Sequence, residues 1–283
     1  MKTHIIKFIV LLITLLVTIP LATALAQHFP ADSTSRQLPL KLNHAEPLYI
    51  DLIRDLGARK GEKEWNFGMG LTDHLDFDKY EMLVEYEWAP VDRLGLEIEV
   101  PVSIYSPNIS DRRNSRPSDR IEGLKTAAQY TFLVNEKHQT SMALGYINEL
   151  EFYNLNELSV SKMLMGNKYN PFLVVAKRLT PKLHSLIYTG PQISQHFKTG
   201  HWESSFDINS NLHYMLPESR NFIGVELNKS FQAGNFDMVV RPQMRVSLMD
   251  NLIVGLVAGV PVTRYNERMS CFFRLIYEPG HSH

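Results

Sequence analysis

The sequence predicts an all-β protein: a closed antiparallel transmembrane β-barrel of about 12 strands with a short N-terminal periplasmic helix. Three observations carry this. Hydrophobicity alternates with period two over many successive runs of roughly 9–13 residues, the length a tilted strand needs to cross a bilayer. The links between runs are tight on one side and longer on the other. The chain also opens on a segment with the form of an export signal.

That opening segment comes first. Lys2 and Lys7 charge its start, residues 8–16 are almost wholly apolar, Pro20 breaks the run, and Ala24-Leu25-Ala26 has the small-x-small pattern of a cleavage site. Residues 1–26 therefore read as a signal peptide, with Gln27 the first mature residue. An uncleaved anchor is the competing reading, because residues 5–26 come close to bilayer length; Pro20 and the small-residue end favour cleavage. No cysteine follows the apolar run, which excludes a lipoprotein anchor. The single cysteine, Cys271, allows no intrachain disulfide and no paired-cysteine metal or redox site. A formal net charge of -1 gives no global basic field, so nucleic acid is not an expected partner. Mean hydropathy is only -0.17, which a barrel with one apolar and one polar face permits.

Residues 27–64 form an N-terminal periplasmic segment. Leu48, Leu52 and Leu56 recur at i, i+4 and i+8 beside Tyr49 and Ile53, while Asp51, Arg54 and Asp55 fall on another face. With Pro47 in the first turn and Gly57 as the stop, this spacing predicts an amphipathic helix over residues 47–56. So short a helix must pack against something. It either closes the periplasmic mouth or docks on the barrel rim, or it serves as a plug or as the contact for a periplasmic partner.

The barrel is expected over residues 65–283. Tyr80, Met82, Val84, Tyr86 and Trp88 alternate with Glu81, Leu83, Glu85 and Glu87. Leu94, Leu96, Ile98 and Val100 alternate with Gly95, Glu97, Glu99 and Pro101. The pattern holds for Met142, Leu144 and Tyr146 against Ser141 and Gly145, and for Phe206, Ile208, Leu212 and Tyr214 against Asp207, Asn209, Asn211 and His213. It holds again for Met238, Val240, Met244 and Val246 against Arg241, Gln243 and Arg245. Strands are expected at 65–73, 79–89, 94–105, 124–134, 140–152, 168–179, 183–197, 202–215, 222–232, 236–249, 252–263 and 270–278. Tight links fall at 90–93, 135–139, 180–182, 216–221 and 250–251, and the longest at 106–123 and 153–167. An even strand number leaves both ends of the barrel on the tight-turn side, the periplasm. Phe273, Leu275 and Tyr277 share a face of the last strand, as in strands read by the barrel-insertion machinery; residues 279–283 follow instead of a terminal phenylalanine.

The run HAEPLYIDLIRDLGARKGE at residues 44–62 resembles the pre-barrel segment of Bacteroidota barrel proteins, and the mature chain resembles a small Gram-negative outer-membrane β-barrel protein. The resemblance implies the architecture and a cell outer membrane location. It brings no substrate, cofactor or catalytic residue.

If the apolar faces meet lipid, Glu81, Glu85, Glu87, Glu97, Glu99, Glu149, Glu151 and Asp207 point into the lumen. Lys125, Arg241, Arg245 and Arg274 do so too, which puts acids on the early strands and arginines on a late one. Such walls either line a pore with a transverse field or pair and fill a narrow barrel. The favoured expectation is a passive channel or small-solute transport component with a charged lumen, and not an enzyme. A plugged, non-conducting barrel with a structural or partner-binding role is second, and an outer-membrane lipid hydrolase third. For the last, His184-Ser185 is the nearest adjacency, but neighbours in a strand face opposite sides. His74, Asp76 and Asp78, and the tail residues His281 and His283, have metal-ligand chemistry without a full ligand set, so no metal is expected. The basic stretch at 111–120 offers contacts for lipopolysaccharide phosphates. Expected partners are thus membrane lipid and lipopolysaccharide, the barrel-insertion machinery and a possible periplasmic protein.

Overall fold

A computed structural model describes residues 38–50, 52–107, 117–152, 164–264 and 267–280. The strands are β1 (Lys63–His74), β2 (Phe77–Val91), β3 (Leu94–Pro107), β4 (Arg120–Ile121), β5 (Gly123–Asn135), β6 (Thr140–Phe152) and β7 (Leu164–Arg178). There follow β8 (Leu183–His196), β9 (Trp202–Met215), β10 (Phe222–Gln232), β11 (Asn235–Met249), β12 (Leu252–Pro261) and β13 (Glu267–Tyr277). Each pairs antiparallel with its neighbour, and β1 pairs with both β2 and β13, Trp65 lying between Tyr86 and Tyr277. The sheet therefore closes on itself and leaves no edge, the condition for strands to sit in hydrocarbon. β4 and β5 lie along the same neighbour, β3, with Glu122 between them, so they make one stave and the wall is that of a twelve-stranded barrel.

Alternation decides which side each residue takes. Phe67, Met69, Leu144, Tyr146, Leu256 and Phe273 are exposed on the outer face. Their strand neighbours Asn66, Ala143, Gly145, Val257 and Phe272 turn inward, buried or half-buried. Trp65, Tyr86 and Trp88 stack at 4.6 and 5.4 Å near the tight-turn end, and Trp202 stacks on Tyr169 at 6.1 Å near the other end. Indole rings at both borders of an apolar band are what a membrane-water interface favours. Not every link on the far side is long. β1 and β2 are joined by Leu75 and Asp76 alone, and β10 and β11 by Ala233 and Gly234, with φ of 50° and 82°. Positive φ at both central residues makes the second a type I′ hairpin, whose twist suits the flanking strands.

The core is inside the barrel, between the wall and the N-terminal segment. Leu52, Ile53 and Leu56 pack with Ala127, Ala143, Phe172, Val174 and Leu186; Ala45 and Leu48 pack with Phe222, Ile253, Val257 and Ile276. The expected helix does not form: the described residues of 47–56 are bends, a turn and irregular chain. Arg54, inside the expected span, has a φ of 65°, a value a right-handed helix excludes. The reason lies in the surroundings, since the wall supplies hydrogen bonds that a helix would otherwise make internally.

Candidate functional site

The segment enters at the tight-turn end, runs inward and returns. The Asn43 carbonyl accepts from Arg178 at the end of β7, and the Ala45 N–H donates to His184 Nδ1 near the start of β8. Deeper in, the Leu48 N–H donates to Gln243 Oε1 at 2.8 Å and the Ile50 N–H to Glu226 Oε1 at 3.2 Å. On the way out, the Arg54 N–H donates to Glu87 Oε2, the Arg54 carbonyl accepts from Gln129 Nε2, and the Gly57 N–H donates to Thr131 Oγ1. The Ala58 carbonyl then accepts from the Arg93 N–H at the β2–β3 turn, and the chain continues into β1. The structure thus makes this segment a plug in the tight-turn half of the lumen rather than a helix on the rim.

Charge fixes the plug as well. Arg54, buried, pairs with Glu64 at 2.5 Å and lies 3.6 Å from Glu87 and Asp55; Lys41 pairs with Asp55 at 2.5 Å and Glu62 at 2.8 Å. Burial disfavours the charge on each of these plug groups, but the partners win. Arg54 is raised well above the usual guanidinium value by Glu64, Asp55 and Glu87, and Lys41 is raised by Asp55 and Glu62. Asp55 is held below the usual carboxylate value by Lys41 and Arg54. Asn66 Nδ2 bridges Glu64, Glu85 and Glu87, tying the wall carboxylates together.

Above the plug lies a cup of about 330 Å³, floored by Tyr49, Ile50 and Ile53. Its lining carries six carboxylates (Glu81, Glu97, Glu99, Glu122, Glu149 and Asp207) and three cations (Lys125, Lys168 and Arg274). Lys125 Nζ lies 3.1 Å from Glu97 and 2.7 Å from Glu99; Lys168 is 3.5 Å from Glu149 and 2.8 Å from Glu151. Arg274 reaches Glu85 at 3.4 Å and Lys79 reaches Glu81 at 2.5 Å. Asp207 accepts from Gln192 at 2.6 Å, and its Oδ1 is buried without a hydrogen-bond partner. The carboxylates of Glu85, Glu97 and Glu99 approach within 4.8 Å of one another, but the ammonium of Lys125 takes the cation position beside two of them.

Of the two arrangements open for the charged walls, direct pairing of the early acids with Arg241 and Arg245 is not found among the described residues. Arg241 lies over the Tyr49 ring at 3.5 Å and donates to Asn228 and Ser270; Arg245 lies over Phe222 and donates to the Arg220 carbonyl. The acids take partners from their own side of the wall and from the plug, because those side chains are nearer than the arginines across a filled lumen. His184 and Ser185 do not form a dyad. His184 turns inward to the plug, while Ser185 donates to the Asn211 carbonyl. His74 stacks on Phe77 at 4.8 Å, and among the described residues no set of three metal-ligating side chains converges there. His281, His283 and most of the basic stretch at 111–120 lie outside the described residues.

Sequence reasoning placed the charged wall and missed the plug's path. A signal was present: inward positions Ile253 and Val257 of β12, Ile276 of β13 and Phe172 and Val174 of β7 are apolar, which a water-filled lumen does not ask for. They match the leucines of the plug.

The HAEPLYID-like family model matches residues 40–278. No curated protein matches the sequence. Among solved structures, the fold is similar to an outer-membrane channel from Pseudomonas putida F1, at 11% identity and a TM-score of 0.61, covering 79% of this chain and 98% of that one. It is also similar to the KdgM porin, at 15% identity and a TM-score of 0.53, covering 76% and 98%. The NanC porin gives 8% identity and a TM-score of 0.51, covering 76% and 98%.

Proposed function

We propose that this chain, which belongs to the HAEPLYID-like family, is an outer-membrane channel barrel that its own N-terminal segment keeps shut. The apolar outer band with its indole borders and the likeness to outer-membrane porins support that location. So do the export-type segment at residues 1–26, read as cleaved, and the resemblance of the pre-barrel run to that of Bacteroidota barrel proteins.

One observation carries the reading: the plug's backbone amides are received by wall side chains of polar type, His184, Gln243, Glu226, Glu87 and Thr131. Such groups hydrate readily once the plug leaves, so the closure is reversible in a way that a wholly apolar plug seat is not. The cup is then the outer vestibule. Its excess of carboxylates favours cations over anions at its mouth. The test is planar-bilayer recording of the refolded protein beside an Arg54→Ala variant, which removes the plug's central ion pairs. The wild type should be mostly closed, and the variant should conduct with cation preference. Silence from both, with the variant's plug shown by hydrogen exchange to be displaced, would sink the channel reading.

A permanently plugged barrel is the second reading, favoured by the burial of Leu48, Leu52 and Leu56, which are 2%, 2% and 1% exposed. In that case the cup is a binding surface, and a periplasmic partner cannot engage these leucines.

A further inference from the structure

We propose that the plug is fastened by a histidine latch that acid opens: His44, His184 and His213 hold the inbound arm of the plug only while uncharged. The proposal rests on reading the segment as a movable closure.

The three rings come from three elements and meet at the tight-turn end. His44 is on the plug, and His184 of β8 and His213 of β9 are direct cross-strand partners. All are buried, at 9%, 5% and 0% exposure, and the His44 and His184 rings lie 6.4 Å apart. The plug's backbone fixes the protonation states of His184 and His213, while His44 is held by burial and by Ser141 Oγ at 2.9 Å. His184 Nδ1 accepts the Ala45 N–H at 2.9 Å, so that nitrogen carries no proton. The Leu48 N–H takes Gln243 Oε1, which turns the Gln243 amide nitrogen toward His213 Nε2 at 2.9 Å. An amide nitrogen only donates, so His213 Nε2 must also be bare.

An imidazolium has no acceptor. Protonating His184 puts two N–H groups face to face and releases Ala45. Protonating His213 does the same against Gln243, and an amide that turns to meet the new proton withdraws its oxygen from Leu48. Two consecutive anchors of the plug therefore depend on two neutral histidines.

The surroundings offer the charge little relief beyond the backbone carbonyls of Pro181 beside His184 and of Ala45 beside His213 and the more distant Asp55 carboxylate on the side of His44. Arg178 of β7 and Arg245 of β11 are the nearest cations, Ser141 of β6 is bonded to His44 Nε2 at 2.9 Å, and Glu226 of β10 is engaged with Gln243 and Ile50. Glu46 and Asp55 of the plug are the other carboxylates on that side, and Asp55 is taken by Lys41. Among the described residues no carboxylate is paired with any of the three rings.

His44 supplies the pH window. Burial, then Arg178 and His184, push its imidazole down to about 4, whereas the released segment regains the ordinary value of 6.5. The released state thus binds more protons between these values. The hold is complete above the ordinary value and weakens as pH falls toward the folded one. Asp55 is held below its ordinary 3.8, so the Lys41–Asp55–Arg54 network stays charged throughout that window.

The full-length protein in vesicles provides the test. Hydrogen exchange of residues 40–62 is followed at about pH 7.5 and about pH 5, corrected for chemical exchange and referred to the wall strands, with current recorded in parallel. Plug exchange should rise about tenfold or more on acidification, because each tenfold rise in proton concentration within that window favours the released, proton-binding state by up to the same factor. In the triple variant His44→Gln, His184→Asn and His213→Gln, the amide oxygens replace Nδ1 of His184 and Nε2 of His213 as acceptors, no ring of the latch titrates, and the rise should stay below about twofold. Each single variant should fall between, which keeps the test informative if the triple variant does not fold. Equal protection of the wild-type plug at both pH values overturns the latch, as does an undiminished rise in the variants. Acid release of the plug with no current leaves the latch standing and removes the channel.

Discussion

Arg54 shows how much of this barrel depends on one side chain. Its guanidinium is 4% exposed, pairs with Glu64 and lies beside Glu87 and Asp55, while its own backbone bonds Glu87 and Gln129. Removing one member of a buried ion network leaves the remaining charges desolvated without compensation, at a cost of about 3–5 kcal/mol. Arg54→Met should therefore lower unfolding stability in urea by that amount, and Arg54→Lys should recover only part of it, since one ammonium cannot serve the carboxylates from the guanidinium's positions. A loss below about 1 kcal/mol would mean that the network is open to water. In the sequence Arg54 stood only on the polar face of an expected helix. Its role was not legible there, because its partners Glu64 and Glu87 are brought to it by β1 and β2 and not by local spacing.

At the scale of the element, the plug shows why a helical period is not always a helix. The leucines at 48, 52 and 56 repeat as a helix face would, and all three are buried. Yet they point to different apolar clusters, Leu48 to one and Leu52 and Leu56 to the other, because the chain bends between walls that satisfy its amides. The close approach is recorded in two wall glycines. A Cβ on Gly95 would overlap the Ile53 carbonyl oxygen and lie 2.9 Å from Arg54 Cβ. A Cβ on Gly255 would lie 2.7 Å from Leu48 Cδ2, the free end of a flexible side chain. The two substitutions should differ accordingly. Gly95→Ala should cost about 1–3 kcal/mol, the scale of overpacking, and raise hydrogen exchange in residues 52–58; Gly255→Ala should cost less than about 1 kcal/mol and leave exchange unchanged. Equal effects would contradict the plug's described path.

For the whole molecule, the period-two pattern was legible nearly everywhere, and strand positions from it agree with the barrel to within a few residues. That succeeds because the two solvents, lipid outside and a polar lumen inside, impose opposite chemistry on alternate side chains over the full strand length. It failed where the inside is neither water nor charge: β12, with Ile253 and Val257 inward and Leu256 and Val260 outward, is apolar on both faces, since the plug takes the place of water. The same phasing makes a last prediction. Ile98 of β3 and Val240 of β11 lie on the outer face, in register with Tyr86 and with Leu227 and Val260. An arginine there meets hydrocarbon, so Ile98→Arg and Val240→Arg should each cost about 2–4 kcal/mol in folding into lipid vesicles. Gln192 of β8 lines the cup beside Asp207, and Gln192→Arg puts the same charge into water and next to a carboxylate that has no ion-pair partner among the described residues. It should cost less than about 1 kcal/mol. If Gln192→Arg proves as damaging as the outer pair, charge is being rejected on both sides of the wall and the cup is not hydrated. If the outer pair proves harmless, the apolar band does not face lipid.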